Sequence, residues 1–93
     1  LAITGTNFGF DFNTAFDALR IVSSNDNNYV VNPNTGVVTT TATDVAYGAG
    51  DVNAAVNPVV TGNAYIHGTG TQYAIDTAAD FLVIQANNAG TLT

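Results

Sequence analysis

Phe8-Gly9-Phe10-Asp11-Phe12, Ala18-Leu19-Arg20-Ile21-Val22-Ser23 and Tyr29-Val30-Val31-Asn32 are three runs of alternating or β-branched apolar residues separated by turn formers. This stretch decides the fold. Apolar residues at every second position give a strand one buried face. Here the alternation places Phe8, Phe10 and Phe12 on an aromatic inner face of the first strand, with Leu19 and Ile21 inward and Arg20 outward on the second. Between the runs lie Asn13 to Asp17 and Ser24-Asn25-Asp26-Asn27-Asn28, both rich in residues that bond their own backbone in turns. Pro33-Asn34-Thr35-Gly36 then closes a hairpin. Pro fixes φ at the turn's start, and Gly36 takes the positive φ at its end. Val37-Val38-Thr39-Thr40-Thr41 is the returning strand.

Working outward, residues 42–58 lose the alternation. Ala, Asn, Gly and Asp dominate and Pro58 ends the stretch, so it reads as one long irregular connection, with a short helix near Asn53–Val56 as an option. Connections of this length are uncommon and often functional. Strand patterns restart at Val59-Val60, Ala64-Tyr65-Ile66-His67, Gln72-Tyr73-Ala74-Ile75-Asp76 and Phe81-Leu82-Val83-Ile84-Gln85. Asn87-Asn88-Ala89-Gly90 repeats the earlier hairpin signal, and Thr91-Leu92-Thr93 opens a last strand. Gly36-Val37-Val38-Thr39 and Gly90-Thr91-Leu92-Thr93 fall at matching places about 54 residues apart, and self-similarity at this period implies two copies of one meander. The expected fold is therefore all-β: an antiparallel meander of about eight short strands in two similar units, propeller-blade-like or sandwich-like. Residues 1–93 form a single module, with units at about 5–41 and 59–93 joined by the loop 42–58.

Composition narrows the function classes. The seven acids are all Asp, Lys and Glu are absent, and Arg20 is the one strong cation, giving a net charge of −6. Without Glu and Lys the ion pairs that support helix surfaces are missing. Nucleic acid is excluded as a partner, because several cations are needed to displace phosphate counterions. Electrostatic docking on anionic lipid fails for the same reason. With no Cys, disulfides and thiolate metal sites are excluded. No apolar run reaches the roughly 20 residues of a membrane-spanning helix. The chain begins at Leu1 without a signal peptide, which reads as a processed chain or a segment of a longer one. The Thr-, Asn- and Gly-rich, charge-poor surface points to an extracellular or bacterial cell-surface setting.

Gly5-Thr6-Asn7-Phe8-Gly9-Phe10-Asp11-Phe12-Asn13 and Asp17-Ala18-Leu19-Arg20-Ile21-Val22-Ser23 resemble the bacterial family known as domain of unknown function 4394. Asn32-Pro33-Asn34-Thr35-Gly36, Tyr47-Gly48-Ala49-Gly50-Asp51-Val52-Asn53-Ala54, Asn57-Pro58, Tyr73-Ala74-Ile75-Asp76 and Ala89-Gly90-Thr91-Leu92-Thr93 continue the resemblance in order along nearly the whole chain. Thr14 stands where the family pattern has Pro, and Ala18 where it has a first Arg, which removes one surface or ion-pair contact. The resemblance implies a secreted protein whose members are usually longer and propeller-like. It implies no reaction, since the family's activity is not established.

Chemistry-bearing constellations are sparse. His67 is the only histidine, and neither Ser23 nor Ser24 sits in a nucleophile elbow. A surface histidine at a strand end is the simpler reading, and no catalytic residue is assigned. Asp26 with its Asn neighbours, and Asp51 with Asn53, offer oxygens but match no calcium-loop spacing. They read as turns, so no metal or cofactor is expected. The Phe8, Phe10, Phe12 series is core rather than a sugar-stacking ladder. Arg20, alone among acids, is expected to pair with an Asp such as Asp11.

Two functions compete. The first is a non-enzymatic structural protein that self-associates through β-strand pairing into a larger assembly or fibre, with copies of itself as partner. Leu1, Ala2, Ile3 and Thr4 are the candidate donor strand, because uncharged edges invite strand addition. The alternative is a cell-surface propeller-type binding module for a glycan or protein. Its contact loop would be 42–58, with Tyr47, Asp51 and Asn53 as candidates.

Overall fold

A computed structural model describes residues 2–93. It is all-β, as the alternation requires, with nine strands and no helix among the described residues. In chain order they are β1 (Phe8–Asn13), β2 (Ala18–Ser23), β3 (Asn28–Val31), β4 (Val38–Thr41), β5 (Ala46–Tyr47), β6 (Val60–Tyr65), β7 (Gln72–Asp76), β8 (Phe81–Gln85) and β9 (Thr91–Leu92). The first sheet is a simple meander, β1-β2-β3-β4, and the second runs β5-β9-β8-β7-β6. All pairings are antiparallel except β5 with β9, which is parallel. The two sheets pack face to face, β1 lying over β6.

The turn chemistry acts where the sequence places it. Gly36 and Gly90 have φ of 71° and 70°. Gly36 N donates to Asn32 O and Gly90 N to Ala86 O, both at 2.8 Å. The β3–β4 and β8–β9 turns are thus built alike. Asp17, Asp26 and Asp80 take positive φ in the other turns, a conformation that Asp tolerates better than most residues.

Three expectations about the strands are corrected. Loop 42–58 contains β5, a two-residue strand too short to show periodicity, and its Val52–Ala55 segment forms turns rather than a helix. Val59-Val60 and Ala64–His67 are not separate strands. Val60–Tyr65 is one strand, and a register shift between Val60 and Gly62 hides its alternation. The third correction is the largest: the two faces of the first sheet are exchanged. Phe10 is 66% exposed, and Phe8 and Phe12 are exposed as well. Gly9, Asn13, Arg20 and Val22 point inward and are buried. Alternation shows that a strand has two faces, but a one-residue shift decides which meets the partner.

Close approach of the backbones explains the exchange. A Cβ built on Gly9 would lie 2.6 Å from Asn63 N and 2.7 Å from Gly62 C. Only a strand face carrying Gly at this point permits β1 to approach β6 so closely. Beyond this contact the core is mostly aliphatic, with one aromatic ring: Val22, Val45, Tyr47, Val60, Ala74, Val83 and Leu92, with Val56 packed against it.

Candidate functional site

The paired strands of the two sheets share one register. Gly9 pairs with Val22, Phe10 with Ile21, Asp11 with Arg20 and Phe12 with Leu19. Correspondingly, Gly62 pairs with Ile75, Asn63 with Ala74, Ala64 with Tyr73 and Tyr65 with Gln72. Cross-strand partners share a face. The face of the first sheet that is packed, carrying Gly9 and Val22, therefore corresponds to the Gly62 and Ile75 face of the second sheet. That second face is open: Ile75, Leu82 and Ile84 are exposed, and a Cβ on Gly62 would meet nothing within 4 Å. Conversely, the packed Ala74 and Gln72 face of the second sheet corresponds to the Phe10, Phe12, Leu19 and Ile21 face of the first. The described residues form one such sheet-on-sheet junction and leave one apolar face of each sheet uncovered among themselves.

The junction also holds a polar centre. Arg20 is only 4% exposed. Its Nε donates to Tyr65 Oη (3.2 Å), its Nη1 to Asn28 Oδ1 (2.8 Å) and its Nη2 to Asn88 Oδ1 (2.9 Å). The expected pairing of Arg20 with Asp11 is replaced by these neutral acceptors. Asp11 uses Oδ2 to accept Tyr65 N at 2.7 Å, and Oδ1 to accept Phe12 N. Tyr65 Oη in turn donates to Asn87 Oδ1 (2.7 Å), while Asn28 Nδ2 donates to Thr43 O and Asn87 O. Arg20 thus fastens β2 to β6 and to the β8–β9 turn. Beside it opens a cavity of about 230 Å³, lined by Asn13, Phe16, Arg20, Tyr65, Asn87 and Asn88 among others. Sequence reading turned Arg20 outward because the face assignment was reversed. The signal available was its isolation as the only strong cation of the chain.

A second buried centre lies under the 42–58 loop. Asp76 accepts Tyr47 Oη at 2.6 Å, Val59 N at 2.9 Å and Ala78 N at 2.8 Å. Burial raises its carboxyl, but these bonds outweigh burial and hold it below its ordinary value of 3.8. Burial, then the bond to Asp76, pushes the Tyr47 phenol above the usual tyrosine range. Asp26 is raised, first by burial and then by the Asp44 charge. The signs are opposite. A lowered carboxyl contributes stability above its unfolded value that is lost as pH falls through the folded value. A raised one costs stability at neutral pH, and the cost is relieved as pH falls toward it. Thermal midpoints should therefore rise slightly from pH 7 into the mildly acidic range, then fall steeply below about pH 4. Asp26→Asn should remove the first limb and Asp76→Asn should flatten the second.

The other sequence candidates are dispersed. Tyr47 is 7% exposed, with its hydroxyl held by Asp76, so its ring is not at the surface of the loop. Asp51 Oδ1 accepts Asn53 N at 2.8 Å, an Asx turn closed on itself. Leu1 lies outside the described residues. Ala2, Ile3 and Thr4 are in no strand, and Thr4 is tied to its own chain, its N and Oγ1 donating to Asn27 Oδ1 and its Oγ1 accepting from Asn25 Nδ2. His67 is exposed beyond the end of β6. Among the described residues no three His, Asp or Glu side chains converge as metal ligands, and no helix is long and apolar enough to cross a membrane.

A comparison with known families finds one whose model matches residues 1–93, described as Domain of unknown function (DUF4394). No curated protein and no solved structure matches the chain.

Proposed function

We propose that this chain, which belongs to the DUF4394 family, is a non-enzymatic structural unit that self-associates in an extracellular setting. The observation that carries this reading is the pair of uncovered apolar faces. The Phe10 and Ile21 face of one copy has the counterpart face of another, Ile75, Leu82 and Ile84, available to it. The junction inside the chain provides the template, because it joins the corresponding faces of the same two strand patterns. Such a contact is head-to-tail, so it grows into a ring where the rotation closes and a fibre where it does not. Face packing, rather than the strand pairing suggested by the sequence, is the mode the geometry favours. Most of the exposed large apolar side chains lie on strands, Phe8, Phe10 and Phe12 on one sheet and Ile75, Phe81, Leu82 and Ile84 on the other, and the Ala2–Thr4 segment is occupied on its own turn. The charge-poor surface supports the extracellular setting.

Single charges test this directly. Phe10 and Leu82 are 66% and 70% exposed in the single chain, so Phe10→Lys and Leu82→Lys should change folding stability by less than about 0.5 kcal/mol. Each should raise the concentration needed for assembly at least tenfold, read by light scattering. Unchanged assembly in both variants would reject face packing.

A further inference from the structure

We infer that the cavity beside Arg20 binds a single sugar residue bearing a carboxylate, a uronate. Buried cations are normally paired, yet the buried Arg20 guanidinium has only neutral acceptors. Three of the five N–H donors of a guanidinium are engaged in this way, leaving one on each terminal nitrogen. A guanidinium with spare donors in a partly desolvated cleft selects a carboxylate, because charge-assisted bonds there are shorter and stronger than neutral ones.

The rest of the lining suits the remainder of a sugar. Asn13 and Asn88 present side-chain amides whose Nδ2 donates to no group among the described residues, while Asn13 Oδ1 is fixed by Ala15 N. Phe16, 75% exposed, stands at the mouth of the cavity, where its ring offers an apolar surface to the C–H face of a pyranose. The volume of about 230 Å³ is below the usual range for drug-sized ligands and suits one ring rather than an extended chain. The net charge of −6 disfavours a densely charged polyanion, so a single or widely spaced acidic sugar is the class that fits. The cavity is a half-open cleft between the chain's own two sheets, and of the first sheet's uncovered face it touches Leu19.

Calorimetric titration of the unmodified chain with glucuronate, glucose and acetate tests the assignment, since the ligand varies and the fold does not. Glucuronate should bind at least tenfold more tightly than either of the others, and the Arg20 Nε–H and Asn88 side-chain amide NMR signals should shift with it. Phe16→Ala, at an exposed position, should weaken glucuronate several-fold without altering the melting temperature. Binding of glucose as tight as glucuronate would show that the charge of Arg20 is not read. Equal binding of acetate would show that no sugar is recognised. Shifts confined to residues 42–58, or no binding at all, would overturn the site.

Discussion

Gly9→Ala should destabilise the chain by about 1–3 kcal/mol or more, the cost of forcing atoms into a packed contact. Gly62→Ala, at the corresponding position of the other sheet, should change stability by less than about 0.5 kcal/mol. The two glycines look alike in sequence, each near the start of an edge strand. They differ in what faces them. A Cβ on Gly9 would sit 2.6 Å from the backbone N of Asn63, which cannot move without shifting β6, whereas a Cβ on Gly62 meets open space. Urea midpoints of the two variants measure the contrast. The same reasoning separates folding from assembly. If the open face of the second sheet receives a neighbour as the first sheet's face receives β6, Gly62→Ala should fold normally and assemble poorly.

Arg20→Met is expected to be the most damaging substitution, costing about 3 kcal/mol or more. It removes three hydrogen bonds donated by a cation, a class worth about 1.5–3 kcal/mol each, and leaves the buried Asn28 Oδ1 with only the 3.4 Å bond from Gln85 Nε2. For a chain of this size that corresponds to a fall of roughly 12–24 °C in melting temperature. Arg20→Lys should recover little of it, because an ammonium on a flexible stem cannot address three acceptors held in the plane of a guanidinium. A loss below about 1 kcal/mol for Arg20→Met would mean that the buried network does not hold the junction together.

These two positions also mark the limits of the sequence reading. Local rules carried the fold class. Pro33 to Gly36 and Asn87 to Gly90 close hairpins because Gly takes the φ each turn requires, and this depends on neighbours in the chain alone. The alternation of Phe8, Phe10 and Phe12 located β1, but the choice of inner face depended on β6, some 50 residues away. The inner face is the one with Gly9 and Arg20 because close backbone approach, not side-chain hydrophobicity, governs the junction. The aromatic side that looked like core is the side left uncovered. β5 escaped notice because two residues carry no period, and its parallel pairing with β9 is a tertiary fact. The cavity was illegible for a related reason. Its lining joins the β1–β2 turn, the end of β6 and the β8–β9 turn, which are brought together only when the sheets pack. The register equivalence of Gly9 with Gly62 is readable once the sheets are seen, yet the shift between Val60 and Gly62 conceals it in the chain.

The most direct test of the central claim is the mass of the 93-residue chain in plain buffer, by sedimentation equilibrium over a hundredfold range of concentration. A mass that climbs with concentration toward closed rings or open polymers, and that Phe10→Lys lowers, is the expected result. A monodisperse monomer across the whole range would contradict self-association through the uncovered faces.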